Sequence, residues 1–402
     1  MKKPELLAPA GNMEKLRIAI HYGADAVYLG GKSYGLRNLA DNFTTTEMAS
    51  GVDYAHERGV KVYLTINIYP DNSDIPALYR YLEDLKKIPF DAYIAADPGV
   101  IAMISEISPE RAIHLSTQAN TTNWNSALFW QRQGIKRINL AREMPLEGIR
   151  EVKERVDVEL EAFVHGAMCI SYSGRCLLSS VMSGRHANRG ECAHPCRWSY
   201  SLVEETRPGE YFPIVEDDKG TFIFNSKDLC LLPYLPELVG SGVDSLKIEG
   251  RMKGINYVAS VVRVYREALD RYFDDPASYH CKQEWLAELC KISHRGYTTG
   301  FLLGPPQDLA LEFDSRYIRT HDFVGIVEEV LADGSLLVGV RNRLQVGDTL
   351  EVIGRDMASN MVILREMTNE AGEALQAANP NQKALLRVPF PAEKYDLIRR
   401  EK

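Results

Sequence analysis

Four cysteines are grouped in a short part of the sequence. Cys169 and Cys176 are separated by six residues, fifteen more lead to Cys192, and three separate Cys192 from Cys196. Buried structural cysteines usually occur singly on apolar faces, so four of them within 28 residues are better explained as ligands. The spacing therefore predicts a metal centre held by Cys169, Cys176, Cys192 and Cys196.

The spacing also bears on the kind of metal centre. Structural zinc sites usually draw on paired cysteines with about two to four intervening residues, and only Cys192 and Cys196 fit that rule. Iron–sulfur clusters accept looser spacings, so we expect a cluster and keep zinc as the alternative. Cys230 is a further candidate ligand, whereas Cys281 and Cys290 lie in a later helical region and are expected to be bystanders.

The segment that contains the cysteines is basic. Glu191 is the one acidic residue between residues 167 and 200, although the whole chain has a formal net charge of −8. Such local positive charge favours binding of a nucleic-acid phosphate backbone. Pairing with barrel carboxylates or with an anionic cluster is the alternative explanation. The basic residues of this segment are Arg175, Arg185, His186, Arg189, His194 and Arg197.

Polar residues at the predicted ends of strands form a second group. Lys247 and Glu249 are two residues apart on one strand, so we expect their side chains to point to the same side. In a barrel that side can face the pocket, where the pair could transfer a proton or bind a carboxylate substrate. The alternative is a buried structural ion pair. The other candidates in this group are Asn67, Gln118, Asn120, Arg142, His165 and Arg251.

Residues 31–35, Gly-Lys-Ser-Tyr-Gly, match the pattern of a nucleophile elbow. That motif needs a helix starting at Ser33, but an irregular polar stretch follows, and the next convincing helix is expected near Thr46. Thr44 and Glu47 at its start fit a capping box. We therefore do not expect serine-hydrolase chemistry. The sequence also contains no His-Glu-x-x-His metalloprotease motif and no P-loop.

These candidate residues need a scaffold that brings strand ends together. From residue 5 to about 270, short apolar runs alternate with amphipathic segments, which is typical of βα units. Eight units favour an α/β fold, a closed (β/α)8 TIM-like barrel, with a doubly wound open sheet as the alternative. The predicted strands are Leu6–Ala10, Ala26–Gly30, Val62–Ile68, Ala92–Ala96, Ile113–Thr117, Arg137–Leu140, Val158–Val164 and Ser245–Ile248.

The alternation fails once, at about residues 167–224, where a segment rich in Gly, Ser, Arg, Cys and Pro replaces a short connection. An insertion after a barrel strand lies where barrel enzymes keep their active sites. We expect a barrel domain at residues 1–275 that includes this cysteine-rich insertion, and a helical connector at residues 276–320. Short alternating strands with tight turns predict a small all-β barrel domain at residues 321–402.

The composition is that of an ordinary globular protein, with 45% hydrophobic and 25% charged residues. No stretch approaches the roughly 18 apolar residues of a membrane span, and the N-terminus lacks the apolar core of a signal peptide. We therefore expect a cytoplasmic protein with no membrane partner. In that reducing compartment the seven cysteines are expected to be ligands or free thiols rather than disulfides.

Several motifs together resemble the collagenase-like peptidase family of unknown catalytic type, group thirty-two. They lie at residues 5–11, 23–28, 166–169, 173–176, 225–228, 247–251 and 294–297. Within that family, the Cys-x-x-x-Cys-Arg-Trp match at residues 192–198 and the C-terminal β domain make the chain most similar to the prephenate-dependent tRNA uridine 5-hydroxylases.

The resemblance implies an oxygen-independent hydroxylase with a 4Fe–4S cluster that forms 5-hydroxyuridine at the wobble position of certain tRNAs. It implies prephenate, a small carboxylate, as co-substrate and Cys169, Cys176, Cys192 and Cys196 as cluster ligands. Cys230 is a departure, because quinone-hydroxylating relatives draw a ligand from roughly that region. Hydroxylation of an rRNA cytidine, hydroxylation of a quinone precursor and peptidase activity stay open as alternatives.

Overall fold

A computed structural model describes residues 2–35, 41–168, 174, 176–185, 187, 190–193, 195, 202–203, 211–212, 215–217, 220–222, 227–304, 318, 320–358 and 360–402. The chain divides into two compact units. The first comprises Met1–Leu16, Ala24–Lys253 and His294–Tyr317, and the second comprises Arg17–Gly23, Gly254–Ser293 and Ile318–Lys402. The sequence-based division at residues 275 and 320 stays a prediction. In the described ranges, no helix has the length and apolar character needed to cross a membrane.

The first unit consists of strands that alternate with helices. Its strands are β1 (Glu5–Pro9), β2 (Ala26–Gly30), β3 (Lys61–Ile66), β4 (Ala92–Ala95), β5 (Ala112–Leu115), β6 (Arg137–Asn139), β7 (Glu159–Ala167), β8 (Leu202–Val203), β9 (Tyr211–Phe212), β10 (Val215–Asp217), β11 (Gly220–Phe222), β12 (Asp228–Cys230), β13 (Ser245–Ile248) and β14 (Tyr297–Thr298). The helices that follow its strands are α1 (Met13–His21), α2 (Thr45–His56), α3 (Ile75–Leu85), α4 (Pro98–Ile107), α5 (Trp124–Arg132), α6 (Leu146–Lys153), α7 (Leu178–Ser183) and α8 (Leu235–Gly240).

Eight parallel strands close into a barrel. β1 to β7 pair in chain order, and β13 pairs in parallel with both β7 and β1. The predicted (β/α)8 barrel and all eight predicted strands are therefore confirmed, with ends that differ by a few residues at most. The apolar runs predict these strands because a parallel sheet that is covered on both faces needs a nearly continuous apolar sequence. All five residues of β2 are buried, for example.

Beyond the barrel, β7 runs on to Ala167 and its last residues pair antiparallel with β12. β14 then adds to β12 in parallel. This three-stranded extension lies at the carboxyl end of β7, which is the end at which barrel enzymes bind substrates. The end of β7 directly precedes the cysteine-rich insertion, and β12 follows it. The insertion contains α7 and two short hairpins, β8 with β9 and β10 with β11.

The start of α2 has the predicted capping box. The Glu47 backbone N–H donates to Thr44 Oγ1 at 3.2 Å, and the Thr44 backbone N–H donates to Glu47 Oε2 at 2.8 Å. Residues 31–35 form a bridge residue and bends, and α2, the next helix in the described part of the chain, begins only at Thr45. The absence of a helix at Ser33 from this part agrees with the expectation that residues 31–35 are not a nucleophile elbow.

The second unit contains α9 (Ile255–Asp274), α10 (Gln283–Lys291) and an antiparallel sheet. Its strands are β15 (His321–Val330), β16 (Leu336–Val340), β17 (Leu344–Gln345), β18 (Thr349–Ile353), β19 (Asn360–Ile363), β20 (Met367–Thr368), β21 (Ala377–Ala378), β22 (Lys383–Leu386) and β23 (Leu397–Glu401). Seven strands pair in the order β19-β18-β23-β15-β16-β22-β20, and β17 pairs with β21. The predicted all-β C-terminal region is confirmed, while closure of this sheet into a barrel stays a prediction.

A buried ion cluster joins the helices of the second unit to its sheet. Arg399 on β23, which is fully buried, donates to Glu288 of α10 at 2.8 Å and to Glu351 of β18 at 2.8 Å. Burial acts to raise the pKa of Glu351, but the hydrogen bonds and charges of Arg399 and Lys291 outweigh it and lower that pKa to about 2. The helices and the sheet of this unit are therefore tied together by a buried network of complementary charges, which also includes Arg263 and Lys291.

Candidate functional site

The barrel interior contains a chain of buried charges. Arg137 on β6 donates to Glu5 at 2.6 Å and lies 3.3 Å from Glu161 on β7. Lys247 on β13 donates to the other oxygen of Glu161 at 2.7 Å. Arg137, Glu161 and Lys247 are each at most 3% exposed. Barrel interiors are usually filled by branched apolar side chains, so this polar chain is an unusual feature of the fold.

Complementary charges lie beside the buried carboxylate of Glu161. Burial acts to raise the pKa of Glu161, but the charges of Lys247 and Arg137 outweigh it and hold the pKa below its ordinary value. Burial and the nearby Arg137 charge lower the pKa of His114 well below its ordinary range, so that ring is neutral. Because Glu5 and Glu161 balance Arg137 and Lys247, the chain of charges is close to neutral overall.

Lys247 and Glu249 have different partners, although the sequence predicts that they act as a pair. β13 ends at Ile248, and its register against β7 shifts between Lys247 and Ile248. The rule that residues two apart point to the same side holds only within a regular strand. Lys247 thus reaches into the interior towards Glu161, whereas Glu249 lies beyond the strand end, with its backbone N–H bonded to His165 O at 2.9 Å.

Glu249 and Arg142 form the polar part of the barrel mouth. Glu249 Oε2 lies 3.4 Å from the Tyr28 hydroxyl and 3.9 Å from Arg142 Nη2. The central carbon of the Arg142 guanidinium lies over the Phe163 ring, 3.8 Å from its centre. Lys247 Nζ lies 4.5 Å from the centre of the Tyr28 ring, so Tyr28 separates the interior charges from the mouth. This arrangement can bind an anion and transfer a proton.

His165 belongs to a second group, on the extension of β7. The His165 ring lies 5.3 Å from that of Tyr297, which stacks on His294 at 4.6 Å. Arg295 donates to Asp228 at 2.6 Å, and both are buried. Burial lowers the pKa of His165 to about 3 although the Asp228 charge opposes it. At neutral pH the His165 ring is therefore uncharged and can act only as a neutral donor or acceptor.

Asn67, Gln118 and Asn120 follow β3 and β5 at the same end of the barrel. Asn67 donates to Ser116 Oγ at 3.2 Å, and the Tyr69 hydroxyl donates to the Gln118 carbonyl at 2.6 Å. Asn120 has a positive φ of 54°, and its buried Oδ1 accepts no hydrogen bond from the described residues. A polar atom of this kind, at the active-site end of a barrel, is suited to a ligand or to ordered water.

Arg251 is structural in this geometry. Its guanidinium donates to Thr65 Oγ1 at 2.7 Å and to Asn42 Oδ1 at 2.8 Å. A Cβ on Gly30 would lie 2.6 Å from that guanidinium, so the glycine makes room for it. Arg251 thereby fixes the carboxyl ends of β2 and β3, and its predicted catalytic role stays a prediction.

Two of the four predicted cluster ligands, Cys176 and Cys192, are half-buried in the insertion. Cys169 and Cys196 lie outside the described residues, as do Asn225, Ser226 and the basic residues Arg175, His186, Arg189, His194 and Arg197. Arg185 is described and exposed. Cys230, on β12, is buried and lies opposite His165 in the register of β12 with β7.

The donor set fits the expected group in its chemistry. Four thiolates suit an iron–sulfur cluster or zinc, both of which take soft sulfur ligands. In the described ranges, no three His, Cys, Asp or Glu side chains are grouped so as to hold a metal ion. Met168, which precedes Cys169, is buried.

Gly174 brings the cysteine-rich loop against the barrel mouth. It has a φ of +75°, and a Cβ there would lie 2.2 Å from the Gln118 carbonyl oxygen. Gly184 has a similar φ of +68° but nothing within 4 Å of its Cβ position. Both glycines therefore adopt a positive φ, but only Gly174 lies so close to another part of the backbone that a Cβ would collide with it.

We expect Gly174→Ala to lower the iron content of purified protein, because the loop must move away from Gln118 and carries Cys176 with it. The matched control is Gly184→Ala, which has similar backbone strain in open space and should retain iron. Iron and sulfide analysis of both proteins measures the effect. Equal iron contents would show that this approach does not position the cysteines.

We expect Lys247→Met to lower the free energy of unfolding by about 3–5 kcal/mol, because it leaves the Glu161 carboxylate buried with one cation fewer. Combining it with Glu161→Gln removes the uncompensated charge and should restore much of the loss. Lys153→Met is the control, since the Lys153–Asp244 pair is partly exposed and should contribute about 1 kcal/mol or less. Denaturant melts measure all of these. A fully stable Lys247→Met protein would favour an active-site role instead.

Several residues of the site are not among the sequence-based candidates. They are Tyr28, Arg137, Glu161, Phe163, Arg295 and Tyr297. Charged residues inside otherwise apolar strands were an available signal for Arg137 and Glu161, because such residues are almost never buried without partners. Asp228, which belongs to the motif at residues 225–228, begins β12 and accepts a hydrogen bond from Arg295.

Comparison with known proteins identifies the family. A model described as "Peptidase family U32" matches residues 11–311, and one described as "Peptidase family U32 C-terminal domain" matches residues 319–399. "tRNA hydroxylation protein P1" of Bacillus subtilis (strain 168) is 44% identical over 94% of this chain and 90% of its own length.

Two relatives from Escherichia coli (strain K12) are also similar. "tRNA hydroxylation protein P" is 38% identical over 98% of this chain and 95% of its own length. A protein named as a 23S rRNA 5-hydroxycytidine synthase is 32% identical over 97% of this chain but only 57% of its own length. The family expected from the sequence motifs is therefore confirmed, and the chain belongs to peptidase family U32.

Proposed function

We propose that this chain is an RNA-modifying hydroxylase that acts on tRNA. The observation that supports this most is the polar mouth of a closed barrel, where Glu249 and Arg142 lie together at the strand ends used for catalysis in this fold. The names of the relatives, which refer to tRNA hydroxylation and to an rRNA hydroxycytidine, support the same reaction class.

The finer proposal is formation of 5-hydroxyuridine at the wobble position, without oxygen and with prephenate as co-substrate. A 4Fe–4S cluster, held by Cys169, Cys176, Cys192 and Cys196, would supply one-electron chemistry at the mouth. The cysteine spacing supports it, as does the close approach of the loop at Gly174 to Gln118.

The residues of the mouth then have distinct roles. The uracil must leave any base stack to reach a pocket at the strand ends. Hydroxylation would exchange the hydrogen on uracil C5 for a hydroxyl group of the co-substrate, which is reduced as the uracil is oxidised. Glu249 is the carboxylate placed to accept the C5 proton and to pass it to the reduced co-substrate. His165 positions Glu249, because its backbone carbonyl accepts a hydrogen bond from the Glu249 backbone N–H. Gln118 and Asn120 offer amide groups for the polar edge of the base.

The basic insertion is the proposed contact for the phosphate backbone. Arg185 is exposed there, and the neighbouring sequence has a large excess of basic residues. Neutralising phosphates releases counterions, so affinity for tRNA should fall steeply as salt rises. A local basic segment reconciles RNA binding with a chain whose formal net charge is −8.

Nucleoside mass spectrometry on tRNA from a strain lacking the gene tests this proposal. Loss of 5-hydroxyuridine and its derivatives, restored by the intact gene, is expected. Unchanged tRNA with a missing 5-hydroxycytidine in 23S rRNA would instead support the second candidate, an rRNA cytidine hydroxylase, which the similarity to the rRNA synthase favours. Unchanged nucleosides in both RNAs would refute an RNA-hydroxylating function.

A further inference from the structure

We propose that Arg142 is the residue that binds a carboxylate group of the small co-substrate at the barrel mouth. This inference rests on the proposed function, since it assigns the site for that co-substrate. The sequence suggested Lys247 for the task, but the Lys247 ammonium lies 2.7 Å from Glu161 inside the barrel and is 3% exposed. An incoming anion therefore needs another cation, and among the described residues Arg142 is the cation that lies beside Glu249 at the mouth.

A cation–π contact holds the Arg142 guanidinium over the Phe163 ring. Its central carbon lies 3.8 Å from the centre of that ring. Such a contact uses no N–H group, so the guanidinium can still bind both oxygens of a carboxylate. The side chain is 10% exposed, so an ion that binds there loses much of its water and is held more strongly.

The hydrogen-bonding capacity of Arg142 is largely unused. Its nearest acid oxygen, on Glu249, is 3.9 Å away, which is beyond hydrogen-bonding distance. Within the described ranges the guanidinium makes no closer polar contact. By contrast, Arg137, Arg251 and Arg295 each donate at 2.6 or 2.7 Å to a partner in the protein. Those three arginines hold the structure together, whereas Arg142 is available to a ligand.

The space beside Arg142 suits one end of such a ligand. A cavity of about 30 Å³ lies where Arg142 and β7 face α6 and α8, and the residues that line it include Arg142, Ile149, Phe163, Leu238, Thr299 and Leu302. It has room for about two water molecules or a group of similar size. Its lining is apolar apart from Arg142 and Thr299, so an anion there would pair with the guanidinium. The rest of the co-substrate would extend into the mouth.

Glu249 sets the strength of this site. Its carboxylate lies close to the position that the ligand carboxylate would take, and two like charges at that distance repel. Removing the Glu249 charge should therefore tighten carboxylate binding, whereas removing Arg142 should weaken it. If Arg142 and Glu249 instead form a structural ion pair, the two substitutions should not have opposite effects on carboxylate binding. Loss of either partner would then destabilise the protein.

Calorimetric titration of anaerobically purified, iron-replete protein with prephenate tests the inference. We expect Arg142→Met to weaken binding roughly 10- to 100-fold, Arg142→Lys to have an intermediate effect, and Glu249→Gln to bind more tightly than wild type. Arg150→Met, which removes an exposed arginine of α6, is the matched control and should bind normally. Iron content and tRNA affinity should be unchanged in Arg142→Met.

Two results would overturn the inference: wild-type protein that binds no prephenate saturably, or Arg142→Met protein that binds it as well as wild type. Nucleoside analysis is independent of both, so hydroxylated tRNA with no role for Arg142 would leave the function standing. Arginine-dependent prephenate binding without any RNA hydroxylation would leave the carboxylate site standing and remove its link to RNA.

Discussion

Changing Cys176 or Cys192 to serine should remove nearly all the iron from anaerobically purified protein and abolish formation of 5-hydroxyuridine. A serine hydroxyl is a poor substitute for a thiolate at an iron–sulfur cluster, which is bound through sulfur. Wild-type protein should be brown and contain about four irons per chain. Iron and sulfide assays, the visible spectrum and nucleoside analysis of tRNA measure the effect.

Other cysteines of the same chain provide the controls. Cys281 and Cys290 lie in the second unit, so their serine variants should keep the full iron content. Cys230→Ser should also keep most of its iron, because Cys230 is buried on β12 outside the insertion. If Cys230→Ser loses the cluster while serine in place of Cys169, Cys176, Cys192 or Cys196 retains it, the proposed ligand set is wrong in one member. A colourless wild-type protein with one tightly bound zinc would exclude the cluster altogether.

Glu249→Gln should lower the rate of uridine hydroxylation by about 10²–10⁴-fold while leaving iron content, tRNA affinity and thermal stability close to wild type. The change removes the proposed proton acceptor and preserves its shape. Glu249 lies at the mouth, near the edge of the buried charge network rather than within it, so neutralising it should disturb the fold little. Single-turnover hydroxylation with saturating tRNA and prephenate measures the chemical step.

The matched control is Glu147→Gln, which removes an exposed carboxylate that pairs with Arg150 on α6. It should leave hydroxylation unchanged. Glu249→Gln protein with normal single-turnover rates would remove Glu249 from proton transfer. Unstable or iron-poor Glu249→Gln protein would instead assign it a structural role.

The barrel was predictable from sequence because its signal is local. Each strand is a short apolar run that is buried on both faces, and each α/β unit repeats that signal, so eight runs indicated eight strands. The capping box of α2 is local too, since Thr44 and Glu47 lie three residues apart. Cysteine clustering is likewise visible in the chain itself and needs no knowledge of the fold.

The partners of charged residues were not predictable, because they depend on long-range packing. Lys247 binds Glu161, which is 86 residues away, and Arg295 binds Asp228, which is 67 residues away. The pairing of Lys247 with Glu249 followed from strand periodicity, which ends at the register shift before Ile248. β12 follows the irregular insertion and pairs antiparallel with β7. The regular alternation of strands and helices, which predicted the parallel strands of the barrel, therefore did not predict β12.

The most direct test of the account is hydroxylation in a purified, oxygen-free system. Iron-replete protein, tRNA isolated from the deletion strain and prephenate are combined under inert gas, and the nucleosides are analysed by mass spectrometry. The account predicts 5-hydroxyuridine at the wobble position, dependent on both the cluster and prephenate. Absence of the product from iron-replete protein, or its formation only when oxygen is admitted, would contradict the account.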